Sequence, residues 1–407
     1  MPVSRISEFF GFGSKSAPLE QKSVTLTDPA AFELFGIAPT RAGFAVGPES
    51  AMRVPAVACA VGLIAATVGT LPPKIYQHET KESARNHPAY RLIHDEANEW
   101  TSASQLRTDL TVDALLRDNG YAKVVRYSDG RPFELHRLDP SKVTLKHDDA
   151  TGEPVYIVQE GRKHASYPYT EILHIQPFGG KSPIKLGRDA ISLSMAFEAH
   201  IASLFANGGR PSGIIKSEKT LGDEAKKKVA ASWFKSHGGT NSGGTAILDE
   251  GMDYQQLSMT LTDAQFAENR LEQVREIARH FRVPPTMLFE LTRGTWSNTE
   301  EMARQFYTIT LKPWLSAWAW AYSRVLLTPE ERESLYVEFV TDDLLTTNAA
   351  TRAASYGQYR SMGAMTANEV RSGLNLPPHK DGESLQNPYT TTAVTPAKSE
   401  EVSADDA

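Results

Sequence analysis

The chain reads TDAQFAENRLEQVREIARHFRV over residues 262–283, PPTMLFELTRGTW over 284–296 and SNTEEMARQFYTITLKPWLSAWAWAYSRVLL over 297–327. Apolar residues recur at helical spacing in the first and third segments, and mixed charges fill the other faces of the first. The two prolines lack backbone donors and disfavour helical conformation in the residue before them, so the first helix must end near Val283. We predict two amphipathic helices joined by a proline-broken loop.

Each of these helices has a start signal. A Ser or Thr that caps a free backbone N–H, with Glu or Gln three residues later, forms a capping box. Thr262 with Gln265, and Ser297 with Glu300, fit this pattern. Pro313 is expected to kink the second helix. The predicted apolar stripe of the second helix is Met302, Phe306, Ile309, Trp314, Trp318, Tyr322 and Val325.

The loop between the two helices is apolar for a surface turn. It holds Met287, Leu288, Phe289 and Leu291 around a single cation, Arg293. An ordinary helical hairpin in a globular core accounts for this pattern, because an apolar helix face usually means burial. Periodicity alone favours that interpretation.

Composition sets the class of protein. A chain of 407 residues with 40% hydrophobic content is long enough for two or three domains with real cores. The single cysteine, Cys59, excludes an internal disulfide and a thiolate zinc site. A formal charge of -6 argues against tight electrostatic binding of DNA, which requires a basic surface. A protein that only guides DNA would need such weak binding.

Two segments suggest other functions. Residues 179–182 (GGKS) lie between a predicted strand and a predicted helix, where a nucleotide-binding enzyme would hold phosphates. The P-loop, however, needs glycine at the position of Ile175, and Pro183 removes an amide from the helix start. Val54–Leu71 is uncharged and would serve a membrane-attached assembly protein, but its Ala, Gly and Thr content favours a buried helix. The histidines have no metal-ligand spacing, and no hydrolase nucleophile motif occurs.

The remaining pattern predicts an α+β architecture. A buried helix ends near Thr70, and Ser102 with Gln105 caps another helix. A helix over 187–206 precedes a small β-α-β insert, made of strands Gly213–Ser217 and Thr245–Leu248 around a helix over 222–236. An antiparallel sheet is predicted from the strands Tyr121–Tyr127, Glu134–Leu138, Lys142–Lys146, Pro154–Gln159 and Glu171–Ile175.

An ordered set of stretches carries a family resemblance. They include AMRVPAVACAVGLIAATVGTLP (51–72), GYAKVVRYSDGRPFELHRLDP (120–140) and FANGGRPSG (205–213), together with 87–100, 263–285 and 299–314. Over about residues 43–378 the chain resembles the phage portal proteins of the HK97 type, a family also used by gene transfer agents.

The resemblance implies a portal fold with wing, stem, clip and crown regions, assembled as a ring with a central channel. By position it implies a flexible N-terminal arm (1–42), a wing (43–186), a stem helix (187–208), a clip (209–261), a second stem helix (262–285), a tunnel loop (286–297), a long kinked wing helix (298–327), a crown (328–388) and a disordered tail (389–407). A tunnel loop replaces the buried hairpin turn as our interpretation of residues 286–297.

The resemblance also implies the function. A twelve-fold ring at one capsid vertex acts as a conduit and valve for double-stranded DNA, while a partner supplies ATP hydrolysis. The chain is then expected to be no enzyme, with no catalytic residue, cofactor or metal. The implied partners are identical subunits, the terminase large subunit, a head-tail adaptor and the major capsid protein, and no membrane. The implied location is a virion or phage-like particle, after assembly in the bacterial cytoplasm.

Eight residues follow from this as candidate site residues. The tunnel-loop residues expected to face DNA are Met287, Phe289, Arg293 and Trp296. The clip residues expected to dock the terminase and the adaptor are Lys226, Lys227, Lys228 and Trp233.

Overall fold

The computed structural model describes residues 40–206, 213–217, 222–237, 252–256, 260–291, 299–341, 349–374 and 376–385. The chain forms two compact units. Unit 1 comprises residues 1–54 and 188–260, and unit 2 comprises residues 55–187 and 261–407. The predicted arm up to residue 39, the predicted strand Thr245–Leu248 and the predicted tail lie outside the described residues.

The chain combines helices with antiparallel strands, as expected for an α+β fold. The helices are α1 (Pro48–Ala51), α2 (Pro55–Thr70), α3 (Pro88–His94), α4 (Ala103–Arg117), α5 (Pro183–Leu186), α6 (Arg188–Ala206), α7 (Asp223–His237), α8 (Thr260–Phe281), α9 (Thr299–Gln305), α10 (Lys312–Leu326), α11 (Glu331–Ser334), α12 (Ala349–Ser361) and α13 (Ala367–Gly373). The strands are β1 (Pro73–Gln77), β2 (Glu96–Asn98), β3 (Thr101–Ser102), β4 (Gly120–Arg126), β5 (Pro132–Leu138), β6 (Val143–His147), β7 (Pro154–Glu160), β8 (Lys163–Pro168), β9 (Ile172–Ile175), β10 (Gly213–Ser217), β11 (Met252–Gln256) and β12 (Leu335–Phe339).

Helix α2 lies in the core of unit 2, as its uncharged sequence predicts. Val57, Ile64 and Val68 are fully buried on it. It packs closely against α4, because a Cβ on Gly69 would lie 2.0 Å from the Thr108 hydroxyl. No described helix is long and apolar enough to cross a membrane.

The strands of unit 2 form antiparallel sheets rather than the single predicted sheet. One sheet has the order β5-β4-β9, another has the order β6-β7-β8, and β1 pairs with β12. Strand β8 is absent from the sequence prediction; it follows a tight turn at Gly161, whose φ of 63° is left-handed. Tyr121, Tyr156, Val158 and Ile172 form a buried cluster drawn from both three-stranded sheets.

Unit 1 contains the helices α1, α6 and α7 and the strands β10 and β11. Buried Ser192 on α6 lies with its hydroxyl 2.5 Å from that of Thr40, which donates to the carbonyl of Phe44 at 2.7 Å. Strands β10 and β11 pair antiparallel, with Gly213 opposite Gln256. The described partner of β10 is therefore Met252–Gln256, which the sequence pattern did not single out.

The predicted long helical hairpin is present in unit 2 with two differences. Helix α8 begins at Thr260, two residues before the predicted cap, and ends at Phe281. The second helix of the hairpin contains a π-helical turn, Phe306–Leu311, which lies between α9 and α10 and ends two residues before Pro313. The extra residue of a π-turn rotates the helix faces that precede it relative to those that follow. Ile309, predicted to lie in the apolar stripe, is for that reason 53% exposed.

Candidate functional site

The candidate site begins where α8 ends. The Arg282 amide donates to the carbonyl of Arg279 at 3.1 Å, and the Val283 amide donates to that of Ala278 at 3.0 Å. Arg282 has a left-handed φ of 57°. This is a Schellman cap, in which an arginine takes the position that glycine usually occupies, and its apolar pair, Val283 and Ala278, is buried. The cap and the prolines after it end the helix sharply.

The loop that follows points one aromatic ring into solvent. Residues Pro285–Leu288 form a 3₁₀ turn, and Phe289 adopts a left-handed φ of 62°. Phe289 is 83% exposed, while Leu288 and Glu290 on either side are buried. The Arg275 Nη2 atom lies 3.3 Å from the Glu290 carboxylate. The exposure of Phe289 is therefore imposed by its anchored neighbours.

The start of the loop is tied to two helices of the same unit. The Thr286 hydroxyl donates to the sulfur of Met302 at 2.9 Å. The Cys59 thiol donates to the Met287 carbonyl at 3.8 Å, and burial raises the pKa of that thiol. Met287 itself is half-buried. Of the predicted DNA-facing residues, the structure describes Met287 and Phe289, and Phe289 is the more exposed of the two.

The π-turn also contacts the end of α8. The Thr310 hydroxyl, on this turn, donates to the carbonyl of Arg282. Thr310 is 3% exposed, so this bond is shielded from water. A π-turn in the middle of a helix often marks a functional position. Here it supplies a partner for a carbonyl at the end of α8.

The charges on α8 largely neutralise one another. Arg279 lies 3.0 Å from Glu272 and also contacts Glu276, and Arg275 lies 3.3 Å from Glu272. Hydrogen bonds from Arg279 and Arg275 lower the pKa of Glu272. Paired charges of this kind bind phosphates weakly, since each arginine already has a carboxylate partner.

The structure describes six of the eight predicted site residues at least in part. Lys226, Lys227 and Lys228 are exposed on α7, and Lys226 Nζ lies 3.3 Å from Asp223. Trp233 belongs to the same helix, but its side chain lies outside the described residues, as do Arg293 and Trp296. The exposure of Phe289 could not be predicted from its apolar character, because it depends on the Arg275–Glu290 contact.

The Asp118 side chain binds to the loop at residues 179–182. The Ser182 amide donates to the Asp118 carboxylate at 2.6 Å, and Lys185 contacts the same carboxylate. Burial raises the pKa of Asp118, but hydrogen bonds from Lys185 and Ser182 outweigh it and lower the pKa. A carboxylate therefore occupies the position where a nucleotide phosphate would have to bind. Among the described residues, no group of three or more His, Cys, Asp and Glu side chains is arranged to hold a metal ion.

Comparison with known proteins identifies the family. A model of the family described as phage portal protein matches residues 55–375. The portal protein of Enterobacteria phage HK97 is 28% identical over 351 residues, covering 83% of this chain and 82% of that protein.

Two solved structures have the same fold. The neck of an empty gene transfer agent particle, computed with C6 symmetry, matches with a TM-score of 0.59 and 25% identity, covering 82% of this chain and 94% of that one. The neck of a native gene transfer agent particle, computed with C12 symmetry, matches with a TM-score of 0.57 and 24% identity, covering 87% and 100%. The chain therefore belongs to the phage portal protein family, and its function is that of a portal at a phage or gene-transfer-agent capsid vertex.

Proposed function

We propose that twelve copies of the chain form a ring whose channel conducts double-stranded DNA, with residues 286–297 at the channel wall. The observation that supports this most is Phe289, an apolar ring that is 83% exposed between buried neighbours. A loop that gripped DNA would present cations, because phosphate binding depends on Lys and Arg. An apolar loop instead allows the duplex to slide past.

The charge distribution agrees with a sliding duplex. The chain carries a formal charge of -6, and the arginines in the last two turns of α8 are paired with glutamates. Arg293 is then the loop residue expected to contact phosphates weakly, and Trp296 the residue expected to brace the loop. The ring is a passive conduit and valve, and the terminase large subunit hydrolyses ATP.

The other regions follow the family order. Residues 43–186 form the wing, 187–208 and 262–285 the stem, and 328–388 the crown. The clip, residues 209–261, docks the terminase and then the head-tail adaptor, and exposed Lys227 and Lys228 on α7 are available for acidic partners. The ring is built into the capsid through the major capsid protein in the bacterial cytoplasm.

The channel assignment is tested in assembled particles. The chain is produced with the major capsid protein, and rings are counted by electron microscopy while DNA per particle is measured. Phe289→Ala and Arg293→Ala are expected to leave ring number unchanged and to lower the DNA retained several-fold. Leu288→Ala, which truncates a buried neighbour, is the control and is expected to lower the yield of folded protein. Loss of rings in the first two variants would make those residues structural, and unchanged DNA would place the loop away from the channel.

The docking surface has its own test. Lys227→Glu with Lys228→Glu is expected to weaken capture of the terminase large subunit by purified rings. Lys142→Glu with Lys146→Glu removes two exposed lysines of unit 2 and is the charge-matched control. Equal capture by all three proteins would reject α7 as the docking helix.

A further inference from the structure

Unit 2 contains an open cleft of about 660 Å³ beside the end of α8. Strands β6, β7 and β9, the turn at residues 177–180, the π-turn and α10 form its walls. Five aromatic side chains line it, and two of them, together with an isoleucine, are well exposed: Phe178 at 67%, Trp320 at 62% and Ile309 at 53%. Clustered exposed apolar side chains of this size mark a binding surface.

The cleft is also positively charged. The Arg282 guanidinium lies 3.9 Å from the centre of the Phe178 ring, and that of Arg324 lies 4.7 Å from the centre of the Trp320 ring. The Nε and Nη2 atoms of Arg324 are buried and have no hydrogen-bond acceptor among the described residues. No Asp or Glu is among the described residues that line the cleft. Two arginines without a lining carboxylate favour an anionic ligand.

The aromatic walls and the cations together define the chemistry of the ligand. Aromatic rings pack best against other apolar or aromatic groups, and arginine binds carboxylates. A short peptide that carries aromatic residues next to a glutamate would satisfy both features. Double-stranded DNA would satisfy only the charge, because its bases are stacked inside the duplex.

The N-terminal arm of the chain contains such a peptide twice. Glu8–Phe12 reads EFFGF, and Glu33–Ile37 reads ELFGI, so both follow the pattern Glu, apolar, Phe, Gly, apolar. The acidic C-terminal segment 390–407 has four carboxylate side chains but no aromatic residue. The arm therefore matches the cleft in both respects, and the C-terminal segment matches only in charge.

We propose that the cleft binds the Glu8–Phe12 motif of a neighbouring copy of this chain, with the phenylalanines on the aromatic wall and the Glu8 carboxylate beside Arg282. The proposal rests on ring assembly. A closed ring is built from heterologous contacts, in which one surface of a subunit meets a different surface of the next. The 27 residues between Phe12 and Thr40 can span about 95 Å when extended, which is ample reach for an adjacent subunit.

Disulfide trapping in assembled rings tests the proposal. Phe10→Cys and Ile309→Cys are combined in a Cys59→Ser background, since Cys59 is the single native cysteine. Mild oxidation is expected to produce a ladder of covalent multimers on a non-reducing gel. Cross-linked monomers alone would place the arm in its own subunit and overturn the proposal. Rings without any cross-link would also overturn the proposal. Absence of rings in the wild-type protein would reject ring assembly itself, on which the proposal rests.

A binding measurement tests the chemistry. A fluorescent peptide of residues 5–14, RISEFFGFGS, is titrated with full-length protein that carries Phe10→Ala, so that its own motif is weakened. Glu8→Gln in the peptide, or Trp320→Ala in the protein, is expected to weaken binding about tenfold, the effect of 1.4 kcal/mol. Trp100→Ala removes another exposed tryptophan, outside the cleft, and is the matched control.

Two competitors complete the test. A peptide of residues 33–37 that competes better than residues 5–14 would overturn the choice of motif. Displacement by a DNA oligonucleotide at equal concentration would make the cleft a nucleic-acid site instead.

Discussion

Arg275 on α8 holds Glu290 of the loop, with 3.3 Å between Nη2 and Oε1. Glu290 is 7% exposed, and the neighbouring Phe289 is 83% exposed. A largely buried carboxylate needs a charged partner, because its desolvation is otherwise uncompensated. This contact therefore fixes which loop side chain reaches solvent.

Replacing Glu290 should loosen the loop. Glu290→Ala leaves Arg275 without its loop partner and is expected to lower the free energy of unfolding by about 1–2 kcal/mol, since the pair is only partly exposed. Urea denaturation followed by tryptophan fluorescence measures the change. Glu272→Ala, which breaks pairs on the outer face of α8, is expected to leave the midpoint unchanged. A similar loss of unfolding free energy in both variants would mean that the Arg275–Glu290 contact stabilises the protein no more than an exposed pair does.

The hydrogen bond from the π-turn has a matched pair of variants. Thr310→Val keeps the shape of the side chain but leaves the Arg282 carbonyl without this donor, and is expected to cost about 1–2 kcal/mol. Thr308→Val makes the same exchange at an exposed position of the same turn. Thermal unfolding of the two proteins should separate them by several degrees. Equal melting temperatures would show that the bond contributes nothing to stability.

Two glycines of α2 should respond in opposite directions to alanine. In Gly69→Ala the new methyl group meets the Thr108 hydroxyl at 2.0 Å and the Ser104 carbonyl at 3.0 Å, so a loss of about 1–3 kcal/mol is expected. At Gly62 nothing lies within 4 Å, and Gly62→Ala should stabilise the helix by about 0.5–1 kcal/mol. Denaturant midpoints measure both changes. A neutral Gly69→Ala would refute the close packing of α2 on α4.

Acid should destabilise unit 2 through His174. Burial, and then the charge of Arg324, lower the pKa of His174 to about 3. In the unfolded chain His174 binds a proton near pH 6.5, whereas in the folded chain it stays neutral down to about pH 3. Acid therefore favours the unfolded state. The contribution of neutral His174 to stability is complete above pH 6.5 and is lost as the pH falls towards 3. The free energy of unfolding should fall by up to about 1.4 kcal/mol per pH unit in that window.

The neutral form of His174 also fits its hydrogen bonds. The Tyr156 hydroxyl lies 3.0 Å from Nδ1 of His174, and the Asn119 side-chain oxygen lies 2.8 Å from its Nε2. His174→Gln should flatten the pH dependence of unfolding between pH 6 and about 4, whereas His164→Gln, at an exposed position, should not. Parallel curves for the two variants would assign the acid sensitivity to other groups.

Part of the site was predictable because its signals are local. The prolines after Val283 end α8 wherever the chain is placed, and the Ser102 cap is made as predicted, with its hydroxyl accepting from the Gln105 amide at 3.0 Å. The family resemblance identified the protein as a portal, and the placement of residues 286–297 as its tunnel loop stays a prediction. The roles of all eight candidate site residues stay predictions, and Arg293 and Trp296 also lie outside the described residues.

The sequence by itself determined that α8 ends just before the prolines, that Ser102 caps α4 and that α2 is buried, because caps, prolines and apolar periodicity act within a few residues. The ordered set of resembling stretches gave the family. Tertiary structure alone decided the rest. The Thr310 hydroxyl of the π-turn donates to the carbonyl of Arg282, 28 residues earlier in the chain. The Arg275–Glu290 contact and the charged aromatic cleft likewise join side chains from separate elements, and no local pattern records which distant groups will meet.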